Sequence, residues 1–436
     1  MNQFQYPPIG VVGLWHLGCT IGACWADKGF LVKGVDVDEA VINNLRQGRP
    51  PLFEPGLSES IQKNLDAGNI SFWTSLENVK GCPFVFVAYD TPVKEDDESD
   101  IRIIQETIVN MAPFLESEAI VIVSAQLPLG TARVLRALLK KIEPSLELVY
   151  SPENLRLGQA LRCYSQPGHI VIGSDDLRAA DKVEKLFSPM NAKCLKMNLP
   201  SSEMAKHAIN TFLATSITLA NQWADLCEVS GAHYSDVASA IKHDPRIGEN
   251  AYVAQGIGFS GGTLGRDLKV LDGYNREYSE NLVPLFRQVW DYNATRFEVV
   301  RRKCEKVLGG IEGKIITLLG MTYKPGTSTL RRSLPLDVVK DLISSGAILR
   351  AYDPKADWDS VSLPSGLQVC RSSLEAAKES EILILLTDWP EFSELDFFGL
   401  KQNMKQANFF DTKNMLKNQY SKLEAMGFEI FTIGEP

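Results

Sequence analysis

The residues of this 436-residue chain best suited to chemistry lie between 244 and 267, DPRIGENAYVAQGIGFSGGTLGRD. Gly256, Gly258, Gly261 and Gly262 fall within seven residues, so the backbone can pass close to a ligand without Cβ hindrance. Arg246, Arg266 and Asp267 frame that run with both signs of charge. The composition suits a reaction centre, and a plain surface loop could share it. A second group is Glu203, Lys206 and Asn210, spaced by three and then four, which places three polar side chains on one helical face. An ordinary solvated ion pair has the same spacing.

Elements with a clear period must position these groups. Residues 9–13 read as an apolar strand that runs into GLWHLG at 13–18, then a helix to 28 and a second strand at 31–35 ending in Asp36. Strand, glycine turn, helix and strand-plus-acid is the pattern that holds a dinucleotide. The acid would take the ribose hydroxyls and repel a 2′-phosphate, which favours NAD over NADP. Trp15 stands where the pattern has its second glycine, so a purely structural βαβ unit stays open at this point. Further apolar strands at 84–88, 119–124, 149–151 and 169–173 complete an open, mostly parallel sheet.

From 202 to 241 apolar residues recur at helical spacing, with Ser201 or Ser202 near Glu203 as the expected cap. Residues 285–308 read as a connecting helix. The last third then echoes the first. KIITLLG at 314–320 resembles the opening strand and its glycine, residues 347–353 again end in an acid, and EILILLT begins at 381. The tail from 409 reads as a last strand pair and a helix. The expected fold is α/β, with two Rossmann-like doubly wound parallel-sheet domains joined by a central helical domain. The boundaries fall at 1–200, 201–309 (with the connecting helix) and 310–436.

Bulk composition narrows the class. A net charge of −9, with 44% hydrophobic and 23% charged residues, fits a globular enzyme and argues against a nucleic-acid or anionic-membrane binder. Eight scattered cysteines without a CxxC pair point to reduced thiols in the cytoplasm. The start, MNQFQYPPIGVVG, lacks a basic leader region, and no apolar run approaches the roughly 20 residues of a bilayer span. The five histidines show no metal-ligand spacing, and His16, inside the glycine turn, reads as a filler.

Taken in order, the motifs resemble the UDP-glucose/GDP-mannose 6-dehydrogenases across nearly the whole chain. They are GRPPLFEPGL (48–57), SAQLPLG (124–130), Ser151-Pro152-Glu153 with Gly158, and the helix pattern Glu203, Lys206, Asn210, Phe212-Leu213-Ala214 and Asn221. Then come DPRIG (244–248), Gly258-Phe259, Tyr323-Lys324, Thr327, Arg331, Ser333 and Tyr352-Asp353-Pro354. The resemblance implies a cytoplasmic NAD enzyme that oxidises C6 of a nucleotide sugar, most readily a UDP-sugar. In that family a loop cysteine captures the aldehyde as a thioester, which is then hydrolysed to a uronic acid.

Carried over residue by residue, the resemblance assigns Lys206 and Asp267, with water, to the alcohol proton, and a structural salt bridge is the plainer alternative for that pair. Asn210 would orient water or oxyanion, and Glu153 matches the acid/base of thioester hydrolysis. Gly13, Trp15, Leu17, Gly18 and Asp36 would lie along NAD, with Arg331 reaching it from the third domain. Leu155, Phe259, Gly261 and Lys324 would surround the nucleotide sugar. Arg246 matches an arginine that reaches the neighbouring subunit's ligand, which implies a homodimer built on the central helices.

The resemblance also exposes a departure. Aligning Phe259 and Asp267 with the family's loop puts Thr263 at the cysteine position, and no cysteine lies between Cys227 and Cys304. Leu264, Gly265 and Arg266 replace an aromatic, a proline and a lysine, and Ala125 replaces a threonine that helps hold water. A thiol with a pKa of about 8.5 is partly ionised near neutrality, whereas a threonine hydroxyl needs a dedicated base. The second oxidation is therefore the step in doubt. Two other readings stand beside this one: a catalytically silent nucleotide-sugar and NAD binder, and a hydroxyacid dehydrogenase of the 6-phosphogluconate type. The third domain weighs against the latter.

Overall fold

Short runs such as IGVV and IVIV, apolar on both faces, demand cover from both sides, and the chain alternates them with amphipathic helices. The computed structural model describes residues 6–89, 100–153, 155–259, 262–277, 279 and 282–436. It divides into two compact units, Met1–Ala208 and Ile209–Pro436.

The first unit holds one eight-stranded sheet. Its strands are β1 (Ile9–Val12), β2 (Val32–Val35), β3 (Ile70–Trp73), β4 (Phe84–Val87), β5 (Ile120–Val123), β6 (Glu147–Tyr150), β7 (Ile170–Gly173) and β8 (Cys194–Met197). Their spatial order is β3-β2-β1-β4-β5-β6-β7-β8. All neighbours are parallel except β6 and β7, which meet at Tyr150 and Gly173. The 3-2-1-4-5-6 order places a topological switch between β1 and β4, where a doubly wound sheet opens a crevice for a ligand.

The second unit repeats that order with β9 (Ile315–Leu319), β10 (Ile348–Tyr352), β11 (Leu367–Val369), β12 (Ile382–Leu385), β13 (Asn408–Asp411) and β14 (Glu429–Thr432). The sheet runs β11-β10-β9-β12-β13-β14, parallel throughout. One bond recurs in both sheets. The Leu14 amide donates to Asp36 Oδ2 at 2.7 Å, and the Met321 amide donates to Asp353 Oδ2 at 2.6 Å. The acid that ends the second strand of each sheet therefore pins the turn that leaves the first.

The helical segments differ from the expected ones at their ends. The long helix is Leu199–Ser230, starting ahead of Ser201 because Asn198 Oδ1 accepts the Ser201 amide at 2.9 Å and Pro200 is tolerated in a first turn. It stops at Gly231, whose φ of +77° ends the helical path, and a separate helix follows at Tyr234–His243. The connecting segment is likewise two helices, Pro284–Thr295 and Val299–Leu308, broken by a 3₁₀ turn at Arg296–Glu298. The break coincides with Arg296, whose side chain is committed elsewhere, as described below. No helix among the described residues is long and apolar enough to cross a membrane.

Candidate active site

In the first unit the glycine turn is built for close approach. Gly13 has φ of +89°, and a Cβ there would lie 2.9 Å from the Tyr89 ring. A Cβ on Gly18 would lie 1.8 Å from the Gly13 carbonyl oxygen, so the helix His16–Asp27 can pack on β1 only with glycine at that position. Trp15 needs no glycine conformation, with φ of −83°, and its side chain is 46% exposed at the helix N-terminus. Leu17 lies in the hydrophobic core, which leaves only its backbone for a ligand. Asp36 is half-buried, bonded to the amides of Leu14 and Asp38. Each carboxylate oxygen keeps accepting capacity, so turn and acid together fit a dinucleotide.

His16 is a working part of that turn. Its Nε2 lies 2.9 Å from Glu54 Oε2 in a buried pair. Glu54, from the 48–57 motif, also accepts the amides of Gly158 and Ala160, each at 2.8 Å. One carboxylate thus ties the phosphate turn to the segment that follows Ser151-Pro152-Glu153. Burial disfavours its ionisation, yet the bonds from His16, Ala160 and Gly158 outweigh that and hold its pKa below the ordinary value.

Glu203, Lys206 and Asn210 form a buried face rather than a solvated one. Glu203 accepts the amides of Gly130 and Ala132, both at 2.6 Å, and so caps the helix Thr131–Ile142 that follows the 124–130 turn. Burial pushes its pKa up, opposed by those amides. Lys206 Nζ donates to the Glu153 carbonyl oxygen, while the Glu153 carboxylate accepts the amide of half-buried Leu155. Ala125 is fully buried.

The second unit holds the glycine loop and its partners. Asn210 Nδ2 donates to Asp267 Oδ2 at 2.6 Å, with both residues buried. Asp267 lies one turn inside the helix Thr263–Glu277, and Thr263 is that helix's first residue and is exposed. Gly265 is required by contact, since a Cβ there would come within 2.5 Å of the Trp290 ring.

Three side chains hold the loop from outside. Asn221 Oδ1 accepts the Gly256 amide at 2.8 Å, and Arg296 Nε donates to the Gly256 carbonyl at 3.1 Å. The Arg296 guanidinium also pairs with Asp225 at 2.6 Å. Asn293 grips Phe259 through both halves of its carboxamide: Oδ1 accepts the Phe259 amide at 2.9 Å and Nδ2 donates to its carbonyl at 3.0 Å. Gly258, with φ of +107°, leaves room for that grip, because a Cβ would meet Asn293 Oδ1 at 2.6 Å. The Phe259 ring is buried among Ala214, Ile217, Leu268 and Val289, so only its backbone can face a ligand.

Other expected contacts are more dispersed. Arg246 is exposed and paired with its neighbour Asp244 at 2.7 Å. Arg331 is exposed, and its amide donates to Thr329 Oγ1. Lys324 is half-buried, with its ammonium 5.7 Å from the Tyr323 ring centroid. Gly261 lies outside the described residues. Sequence reasoning missed Asn293, Arg296 and half-buried Lys413, which sits beyond β13 beside Gly256. Burial pushes the Lys413 amine below the ordinary lysine value, against the attraction of Asp388 and Asp411.

Models of the UDP-glucose/GDP-mannose dehydrogenase family match the chain in three successive stretches: the NAD binding domain at 8–191, the central domain at 200–295 and the UDP binding domain at 317–418. The chain is 33% identical over 438 residues to the UDP-glucose 6-dehydrogenase of Rhizobium meliloti (strain 1021), covering 98% of this chain and 99% of that one. The chain belongs to the UDP-glucose/GDP-mannose dehydrogenase family. Its similarity to UDP-glucose 6-dehydrogenase TuaD of Bacillus subtilis (strain 168) is 29% over 439 residues, 98% of this chain and 93% of the other. The structure of a UDP-glucose dehydrogenase from the hyperthermophilic archaeon Pyrobaculum islandicum superposes with a TM-score of 0.84 at 26% identity, covering 100% of this chain and 99% of that one. As a member of this dehydrogenase family, the protein is an NAD-dependent oxidoreductase acting on a CH–OH group of a nucleotide sugar. That membership sets aside the 6-phosphogluconate-type reading.

Proposed function

We propose that the enzyme oxidises the C6 alcohol of a UDP-sugar and stops after one two-electron step. The observation that carries this reading is that the helix holding Asp267, which accepts a buried hydrogen bond from Asn210 on another helix, begins at Thr263 rather than at a thiol. Gly13, Trp15, the Leu17 backbone, Gly18 and Asp36 would hold NAD, which would supply the hydride acceptor. Lys206 and Asp267, through water, take the alcohol proton, so the alcohol becomes a carbonyl and the proton leaves to solvent. Lys206 also stabilises the developing alkoxide, and Asn210 holds Asp267 in place for that work. Glu153 positions water, and its carbonyl orients Lys206. Thr263 fills space or hydrogen-bonds, because no base is assigned to activate it.

On this reading Leu155, the backbone of Phe259, Gly261 and Lys324 surround the nucleotide sugar, and Arg331 reaches the cofactor. The division of labour follows the segments 1–200, 201–309 and 310–436. We also infer a homodimer through the central helices in a cytoplasmic enzyme. Phe212, Leu219 and Leu226 recur every seven residues on one helix and are 70%, 41% and 61% exposed, an apolar stripe that a second copy would cover. Exposed Arg246 would then serve the partner's ligand. A panel of UDP-, GDP-, CDP- and TDP-sugars with NAD, read by absorbance and product mass, tests the substrate assignment. NADH formation with no UDP-sugar, or with none of the panel, would sink it.

A further inference from the structure

Residues 251–259, which lead into the glycine run, belong to no helix or strand, so their backbone groups depend on partners from elsewhere. The second sheet supplies part of that support. Gln255 Nε2 donates to the Ile433 carbonyl at 3.2 Å, just past β14. A Cβ on Gly256 would lie 3.6 Å from the Thr412 carbonyl, just past β13. Doubly wound sheets hold their ligands outside these carboxyl ends of the strands. The loop that would meet the sugar thus rests on the rim of the sheet that would hold the nucleotide.

Tyr234 ties this contact together. It is fully buried and opens the helix Tyr234–His243. Its amide donates to the Gly434 carbonyl at 2.8 Å, and its hydroxyl donates to the Val253 carbonyl at 2.9 Å. One residue therefore grips the segment after β14 with its backbone and the approach to Gly256 with its side chain. Gly434, with φ of +87°, has no room for a Cβ, which would sit 2.7 Å from Tyr234 Cβ. The Gly434 amide donates to Glu228 Oε1 at 2.8 Å, and Glu228 Oε2 pairs with Lys303 at 2.9 Å. The Glu435 carboxylate accepts the Ser235 amide at 3.3 Å and faces His233 Nδ1. Residues 433–435 are thereby fixed on the central helices. Burial pushes the Tyr234 hydroxyl up to about 12, so it remains a donor across the neutral range.

We propose that Tyr234 and Gln255 are positioning residues that set the glycine loop against the nucleotide-binding sheet, so that a sugar joined to a bound nucleotide reaches Asp267. The inference rests on the UDP-sugar reading above. Nucleotide and sugar are linked covalently by a diphosphate of limited reach, so loop and sheet must keep one register. A misplacement of about 1 Å from a change far from the chemistry can cost about a hundredfold in rate. Free UDP has no sugar to place and needs only the sheet, and NAD needs the other unit. The signature of these two residues is lost turnover with both of those affinities kept.

Tyr234→Phe removes one oxygen and Gln255→Met removes one donor, each at nearly constant shape, and the double variant is compared with the parent in the full chain. Hydrogen exchange without ligand, followed by peptide mass, should be about tenfold faster over 253–259 in the double variant, with the β9 peptide unchanged. With the UDP-sugar that the nucleotide-sugar panel identifies, kcat should fall about tenfold or more. Kd for UDP and for NAD, read by calorimetry, should stay within about twofold. A purely structural role would instead weaken UDP binding and speed exchange in β9 as well. Should the double variant fail to fold, Tyr234→Phe alone carries the same comparison. Unchanged exchange over 253–259, faster exchange with kcat unchanged, or UDP binding weakened in step with kcat would overturn the proposal. If the parent turns over no UDP-sugar, the substrate reading falls, and the exchange measurement decides whether these residues hold the loop.

Discussion

Asn293 makes two hydrogen bonds to Phe259, one to its amide and one to its carbonyl, as a neighbouring strand would. The glycine loop is thereby fixed by a side chain rather than by sheet pairing. Replacing Asn293 with Ala strands two backbone groups in a buried setting, at about 1–3 kcal/mol for each group left unpaired. Asn293→Ala is expected to lower the melting temperature and to cut kcat with the nucleotide sugar by about tenfold or more. NAD binding should be unchanged, because the dinucleotide turn lies in the other unit. Equal kcat at full stability would show that the loop needs no such hold. Asn293→Asp keeps the acceptor and loses the donor, and should fall between the two.

Gly18 is the glycine of the dinucleotide turn that the packing cannot spare. A Cβ there overlaps the Gly13 carbonyl, so Gly18→Ala should destabilise the first unit by about 1–3 kcal/mol and weaken NAD binding measurably by calorimetry. Trp15→Gly should leave stability nearly unchanged, since Trp15 is exposed and strain-free. If both variants bind NAD as the parent does, the turn is not where the cofactor lies.

Acid should loosen the tie between the phosphate turn and the segment after Glu153. The Glu54 carboxyl titrates below its ordinary value in the fold. Its stabilising contribution is therefore complete above the unfolded value of about 4.3 and is lost as pH falls through the depressed folded value. Melting temperatures recorded from pH 6 down to about 3.5 should drop for the parent across that window. Glu54→Gln should be less stable at neutral pH and lose less over the same range. An identical acid profile in the variant would remove Glu54 from the explanation.

Burial pushes the Cys24 and Cys304 thiols up to about 12 and Cys82 up to about 11. Thiolate, not thiol, is the nucleophile. At pH 8 these three should resist iodoacetamide in the native protein, with label appearing first on half-buried Cys163 and Cys194. Early labelling of Cys304 would contradict its place in the core.

Much of this was legible because it rests on local chemistry. The glycine turn and the acids at Asp36 and Asp353 announced two related sheets, and the shared amide-to-carboxylate bond is their physical link. Buried strands such as 315–319 read clearly because both faces are apolar. Short or polar edge strands, β3, β8 and β11, carried no comparable pattern. What stayed hidden depends on partners far along the chain. Glu203 looked like half of an i,i+3 pair, yet its acceptors are spent on amides some 70 residues earlier. Asn293 and Arg296 sat inside an apparently featureless helix, and their targets lie 34 and 40 residues away. His16 read as filler because nothing local discloses Glu54.

The step that Thr263 removes is the centre of the proposed mechanism, and it can be counted. Purified enzyme is given NAD and a UDP-sugar it turns over, with NADH read by absorbance and product by mass, for the parent and for Thr263→Cys. The parent should form a single NADH per sugar consumed and release a carbonyl product, and the variant should gain a second NADH, with the oxidised sugar either held as a thioester or released from it by water as a uronate. Two NADH and a uronate from the parent would contradict the one-step reaction.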